Sequence, residues 1–332
     1  MMRAWLLSLT AASAVACGDN TFPEGMPLQP ASDLTIVAHE DDDLLFMQPD
    51  LYDAVQRRTG VTNVYVTAGN GHHGLGGSEK RYAGLMAAYS ALAGVDGNDW
   101  SCGWIEIAGH AAEHCRLVTA QISLVFLGYP DGDKEGMADN SLLHLWEAKV
   151  TTVSTISRVL TTYDQRGLIA TLTEIIDTTA PATLRTLEVA STHGRDHSDH
   201  MIAGALAVLA TAASSQNPEL ISYRGYNTAS EPANNTSALF HRSAGILAYY
   251  EACARGCAPC GQPCMIEGTA HDSWLARRYA IGMRRAVSGQ LRLGDSCVTA
   301  TGAEGNAAIG DCLAAPTWEL DAHGALRSST GL

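Results

Sequence analysis

Basic residues are scarce in this chain. Its 21 Lys and Arg face 35 Asp and Glu, a formal net charge of −14. Without a phosphate-neutralising basic patch, nucleic acid and anionic membrane surfaces are excluded as partners. Long apolar runs are missing too: the stretch from Ala4 to Ala16 is too short to span a bilayer stably, and no later segment is a candidate. No internal repeat is evident in the main body. What is present is 332 residues, 46% hydrophobic, enough for one large α/β domain and an appendage.

Met1-Met2-Arg3, an apolar stretch and then small residues read as an export signal over residues 1–17. Ala14-Val15-Ala16-Cys17 permits cleavage after Ala16, or lipidation of Cys17 as in a bacterial lipoprotein. Membrane attachment is therefore expected through a lipidated Cys17 only. The expected location is the periplasm, the cell envelope or the exterior. Nine cysteines minus Cys17 leave eight, an even number that suits disulfides in an exported protein. They fall into three neighbourhoods: Cys102 with Cys115, Cys253/Cys257/Cys260/Cys264, and Cys297 with Cys312. The group of four fits either two disulfides or a structural zinc knot, and export favours disulfides.

Residues 18–32, rich in Pro, Gly and polar side chains, read as a tether. From residue 33 apolar strands alternate with helical stretches, the pattern of a mostly parallel sheet covered on both faces. Strands are predicted at 34–38, 62–67, 104–108, 122–127, 186–191 and 220–223. Helices are predicted at 43–58, 77–94, 141–161, 167–177, 198–212, 236–251 and 270–287. The main domain then runs over 33–287, and 288–332 forms a small β-rich appendage.

Two polar clusters carry the chemistry. His39-Glu40-Asp41-Asp42-Asp43 follows the strand-like run Leu34-Thr35-Ile36-Val37-Ala38, and His197-Ser198-Asp199-His200 opens a predicted helix. In open α/β sheets, ligands bind beyond the carboxyl ends of the strands. His39, Asp42 and His200 would give two imidazoles and one carboxylate, which leave zinc a fourth position for water. Asp41, between two of these ligands, can accept that water's proton. His197 shares a helix face with His200, where as imidazolium it can stabilise an oxyanion and protonate a leaving amine. Asp199 can orient a neighbouring His and raise its pKa.

These motifs resemble the PIG-L/LmbE family of zinc-dependent N-acetylglucosaminyl deacetylases, whose signatures are His-Pro-Asp-Asp-Glu after a strand and His-Pro-Asp-His downstream. The resemblance covers residues 33–285. It implies a Rossmann-like (LmbE-like) α/β fold, one Zn2+ on His39, Asp42 and His200, Asp41 as general base, and His197 as oxyanion or acid partner. It matches the family's Thr-x-Gly segment to Thr67-Ala68-Gly69, its substrate-contacting Arg to Arg81, and its Gly-x-x-Asp-Gly loop to Gly128-Tyr129-Pro130-Asp131-Gly132. Asp131 would then meet sugar hydroxyls. Arg195, two residues before His197, is a further candidate for specificity. Glu40 and Ser198 stand where the family has Pro and Asp43 where it has Glu, which predicts a looser, more acidic loop.

The implied activity is removal of acetyl from an N-acetylated amino sugar. Residues 288–332, with Cys297, Cys312 and Trp318, resemble one repeat of a ricin-type β-trefoil lectin, although Pro316 replaces its usual Gln and one repeat cannot close a trefoil. This tail, with the lipid anchor and the changed residues Glu40 and Asp43, supports one alternative, a surface carbohydrate-binding protein with little turnover; a second, a zinc hydrolase of another acyl amide or ester, would use the same catalytic residues.

Overall fold

A computed structural model describes residues 22–71, 73–190, 194–284, 288–293, 296–301, 306–320 and 326–329. The expected export signal and Cys17 lie outside these residues. In chain order the main elements are β1 (Asp33–Val37), α1 (Asp42–Phe46), α2 (Asp50–Arg57), β2 (Val61–Thr67), α3 (Gly74–Ala93), β3 (Trp100–Ile107), β4 (His110–Leu117) and β5 (Ile122–Tyr129). Then come α4 (Leu142–Trp146), the hairpin β6 (Val153–Ser154) with β7 (Thr162–Tyr163), α5 (Gln165–Thr179), β8 (Thr183–Leu187), α6 (Ser198–Ala213), β9 (Glu219–Tyr223), α7 (Ser237–Arg255), α8 (Asp272–Leu275) and β10 (Ala280–Arg284).

Every residue of β1, β2 and β5 is buried, the polar Asp33, Thr35, Thr62 and Asn63 included, as strands covered on both sheet faces require. Eight strands form one sheet in the order β10-β9-β8-β1-β2-β5-β4-β3. The pairings from β9 through β8, β1 and β2 to β5 are parallel. Antiparallel β10 closes one edge and antiparallel β4 and β3 the other. Alternate side chains of β1 point to opposite faces. Val37 packs with α1, α2, α3 and α7, whereas Leu34 and Ile36 pack with α4, α5 and α6. This is the expected LmbE-like α/β architecture.

Five expectations differ. The strand predicted at 186–191 runs instead over Thr183–Leu187. Helix 43–58 is two helices, because Pro49 has no amide hydrogen to donate within it and α2 restarts at Asp50. Helix 141–161 stops at Trp146; Ala148 takes φ 56°, and the β-branched residues after it form the β6–β7 hairpin. The predicted strand 104–108 is the end of the longer β3. That strand turns through Ala108 (φ 51°) and Gly109 (φ 78°), a left-handed pair suited to a two-residue hairpin, into β4, which was not foreseen. Helix 270–287 is only α8, after which Ala280–Arg284 pairs with β9 as an edge strand.

From Phe22 onward the expected tether lies against the sheet edge: Trp104 N donates to Pro23 O and Gly25 N to Trp104 O. The eight cysteines after Cys17 lie in four pairs at disulfide distance, Cys102–Cys115, Cys253–Cys260, Cys257–Cys264 and Cys297–Cys312. The group of four thus falls into two pairs, each at disulfide distance. Beyond β10, two small three-stranded sheets form: β11 (Ser288–Gly289), β15 (Trp318–Leu320) and β16 (Leu326–Ser328), and β12 (Arg292–Leu293), β13 (Ser296–Thr301) and β14 (Asn306–Gly310). Among the described residues, no helix is long and apolar enough to cross a membrane.

Candidate metal centre and active site

β1 and β8 are neighbours in the sheet, so the chain leaving each arrives at the same crevice. After β1 the backbone folds back on itself: His39 N donates to Asp42 Oδ2 at 2.7 Å, and α1 begins there with Asp42 and Asp43 in its first turn. After β8, His197 caps α6 by accepting the N–H of Asp199 on Nδ1 at 3.1 Å, which places His200 in the first turn. His200 Nε2 then stands 3.0 Å from Asp42 Oδ1 and 3.2 Å from His39 Nδ1, with His39 Nδ1 3.5 Å from Asp42 Oδ2. All three residues are buried.

These separations match a metal shell. Donors about 2.0–2.1 Å from a tetrahedral ion stand roughly 3.3 Å from one another. Asp42 Oδ1 is buried and accepts no hydrogen bond despite the nearby imidazole, which fits donors aimed at a shared point. Electrostatics agree. Burial opposes charge on His39, but Asp42, Asp199 and Asp131 outweigh it and drive its pKa well up. Burial likewise opposes charge on His200, yet Asp42 and Asp196 raise it to about 9. Asp42 is held well below the carboxylate range, its burial outweighed by the two imidazoles. The pocket favours positive charge, and a divalent cation satisfies that demand with the donors already in place.

A second layer surrounds the other side of His39. Its Nε2 lies 3.6 Å from Asp199 Oδ2 and 3.9 Å from Asp131 Oδ2. Asp199 Oδ2 accepts the Gly132 N–H at 2.8 Å, and a Cβ on Gly132 would come within 2.6 Å of Asp199 Oδ1. Asn70, overlooked in the sequence, takes the N–H of Asp131 on Oδ1 at 3.1 Å. Thr67 ties the ends of β2 and β1 together by donating its hydroxyl to Ala38 O.

The expected imidazolium at His197 does not fit this site. Burial, and then the charges of His39 and His200, lower its pKa to about 4 against the pull of Asp199 and Asp131. Its Nδ1 already accepts a backbone N–H, so the resting ring is neutral with its proton on Nε2, 4.0 Å from Asp131 Oδ1.

Asp41 stands at the start of α1 with no capping bond, and its buried Oδ1 accepts no hydrogen bond; Arg81 Nη1 is 3.5 Å away. Arg81 comes from α3 and donates to the Tyr250 hydroxyl of α7 at 2.7 Å. The expected loose loop is in fact tightly packed. Glu40 is fully buried, 3.6 Å from Arg81, against Gly69, where a Cβ would lie 1.9 Å from Glu40 Oε2. Asp43 is buried among hydroxyls, accepting from Tyr65 at 2.7 Å and from Tyr89. Arg195 is 85% exposed and faces Glu135, so the structure does not bring it to the cluster. Tyr226 was also overlooked: its ring lies 4.9 Å from that of His200 and 5.3 Å from that of Phe46.

Residues 34–211 match the family described as PIG-L: GlcNAc-PI de-N-acetylase, over more than half of the chain. The chain belongs to the PIG-L family. Members of the family are deacetylase-type hydrolases, typically metal-dependent, and the matched span holds both polar clusters. Among solved structures, a conserved protein from Thermus thermophilus is 16% identical, covering 67% of this chain and 79% of its own, with a TM-score of 0.37. GalB, the 4-carboxy-2-hydroxymuconate hydratase from Pseudomonas putida, is 12% identical, covering 75% and 83%, with a TM-score of 0.40. Likeness at that level bears on neither activity nor substrate. No curated protein matches the chain.

Proposed function

We propose that this PIG-L family protein is an exported, zinc-dependent hydrolase that removes acetyl from N-acetylated amino sugars. The observation that carries the reading is the convergence of His39 Nδ1, Asp42 and His200 Nε2 at mutual separations of 3.0–3.5 Å, beside Asp41. Two imidazoles and one carboxylate are a zinc donor set that leaves a position open. When bound, zinc supplies a Lewis acid that acidifies water and polarises a carbonyl.

The chain's own residues supply the rest. Asp41, with an oxygen free of hydrogen bonds, takes the proton of the attacking water. His197, neutral and protonated on Nε2, donates a hydrogen bond to the oxyanion that forms on the acetamide carbon. A neutral imidazole is too weak an acid to give that proton up. The proton for the departing amine is therefore the one Asp41 has just accepted, and the products are acetate and the free amino sugar. Arg81, fixed by Tyr250, stands beside Asp41 and orients it towards the water. Asp131, 3.9 Å from His39 Nε2, would meet a sugar hydroxyl.

The paired cysteines support the exported location, and the two small C-terminal sheets are offered as a lectin-like appendage. The test is acetate release from N-acetylglucosamine-containing oligosaccharides and polymers, with and without a chelator. Chelator-sensitive release is expected. Metal-free protein with no release across the panel would overturn the reading, and glycan binding without release would favour a lectin in its place.

A further inference from the structure

Asp196, which neither the motifs nor the mechanism uses, is buried one residue before the second cluster. Its Oδ1 is a meeting point for three nitrogens: His200 Nδ1 at 2.9 Å, His197 N at 2.9 Å and Tyr226 N at 3.0 Å. The two backbone N–H groups are obligatory donors, so Oδ1 is an acceptor and His200 Nδ1 must carry the proton it shares with it. When the ring is neutral, that assignment puts the lone pair of His200 on Nε2, the atom facing Asp42 and His39.

The surroundings hold this pair in place. Gly225 packs directly on it: a Cβ there would lie 2.4 Å from Asp196 Oδ2 and 2.7 Å from His200 Nδ1. The Tyr226 ring covers one face of the His200 imidazole. Asp196 therefore ties the loop after β8 to the loop after β9, and the imidazole cannot rotate without breaking a buried charge-assisted bond.

We propose that Asp196 is a positioning residue that fixes the tautomer and orientation of His200 and thereby sets the metal affinity of the centre. This rests on the reading of His39, Asp42 and His200 as a metal site. A carboxylate behind a ligand imidazole also raises its basicity, and losing such a partner typically weakens metal binding about ten- to a hundredfold.

The experiment uses the mature chain and zinc alone, with the dissociation constant read by chelator competition at pH 7. Asp196→Asn keeps the size and the accepting oxygen but removes the charge, while Asp196→Ala removes both. Wild type is expected to bind one zinc. Asp196→Asn should bind it about tenfold more weakly and Asp196→Ala up to a hundredfold. The visible bands of the Co2+-loaded protein should shift in Asp196→Asn, a change at the metal itself that a purely structural role would not produce. Equal zinc affinity in wild type and Asp196→Asn, with unchanged Co2+ bands, would overturn the role of Asp196 and leave the metal site standing. Wild type that binds no zinc would overturn the metal site itself, and this inference with it.

Discussion

The division of labour between adjacent carboxylates is set by their surroundings. Asp42 faces two imidazoles, Asp43 two tyrosine hydroxyls, and Asp41 a guanidinium alone. Asp41→Asn should lower kcat by about 10²–10⁴-fold while zinc stoichiometry stays at one; loss of zinc would make Asp41 a ligand instead. Glu40 gives a pH signature. Burial lifts its pKa from 4.5 to about 8 against Arg81 and His39. Its contribution to stability is fully present below the unfolded value and is lost as pH rises through 8. Urea midpoints of chelated protein should therefore fall between pH 5 and 8, and Glu40→Gln should flatten that fall. Identical pH slopes in the two proteins would contradict it. His39 and Asp42 were legible as a pair because acids and an imidazole placed directly after a strand seldom serve packing alone; His200, thirteen residues past β8, was legible only through the His197-Ser198-Asp199-His200 cluster at the start of α6. Asp196 and Asn70 were not, because a lone Asp or Asn in a loop looks like any turn residue until its partners are seen. Arg195 shows the converse, since nearness in sequence to His197 did not bring it inward.

At the scale of elements, legibility followed burial. β1, β2 and β5 were found, whereas β8, with Thr183, Arg185 and Thr186 in its five residues, was placed too late at 186–191. β4 escaped because it carries His110, Glu113, His114 and Arg116, and its buried charge is satisfied only in three dimensions: Glu113 accepts from Ser157 and from the Arg158 side chain. His114, fully buried on the same strand, shares its Nδ1 with Met26 O at 2.8 Å and so holds the N-terminal segment to the sheet edge. Burial lowers its pKa to about 4, with Arg116 adding to the shift and the bond to Met26 O opposing it. A depressed histidine contributes stability above its unfolded pKa of about 6.5 and loses it as pH falls towards 4. Between pH 7 and 5 the loss should be about 2 kcal/mol, and His114→Gln should lack this component in paired denaturation curves; equal losses would refute it. The contact of α6 with β8 is equally specific. A Cβ on Gly204 would stand 2.4 Å from Leu187 O, so the helix that carries His200 rests directly on the strand. Gly204→Ala should destabilise the fold by about 1–3 kcal/mol and weaken zinc binding as α6 is pushed outward. Unaltered denaturation and zinc titrations would show that the helix yields without cost.

Over the whole molecule, the centre joins residues 161 positions apart, His39 and His200, through the adjacency of β1 and β8. The donors therefore have their geometry only when the sheet is complete, and metal binding is linked to global folding. In a chain of formal charge −14, the centre still collects Asp42, Asp131, Asp196 and Asp199 around His39, His197 and His200. Without metal, that field holds protons on His39, whose pKa is well raised, and on His200 at about 9, and it leaves His197 neutral. Metal must displace the protons on the coordinating nitrogens, while the Nδ1 proton of His200 stays with Asp196. Zinc binding at pH 7 should therefore release more than one proton, seen in calorimetry as an enthalpy that varies with the ionisation heat of the buffer. Apparent affinity should climb more than tenfold per pH unit from pH 6 to 8, because each released proton contributes a factor of about ten. A pH-independent affinity with no buffer-dependent heat would mean that the metal-free imidazoles are already neutral, and that the surrounding carboxylates carry the protons instead.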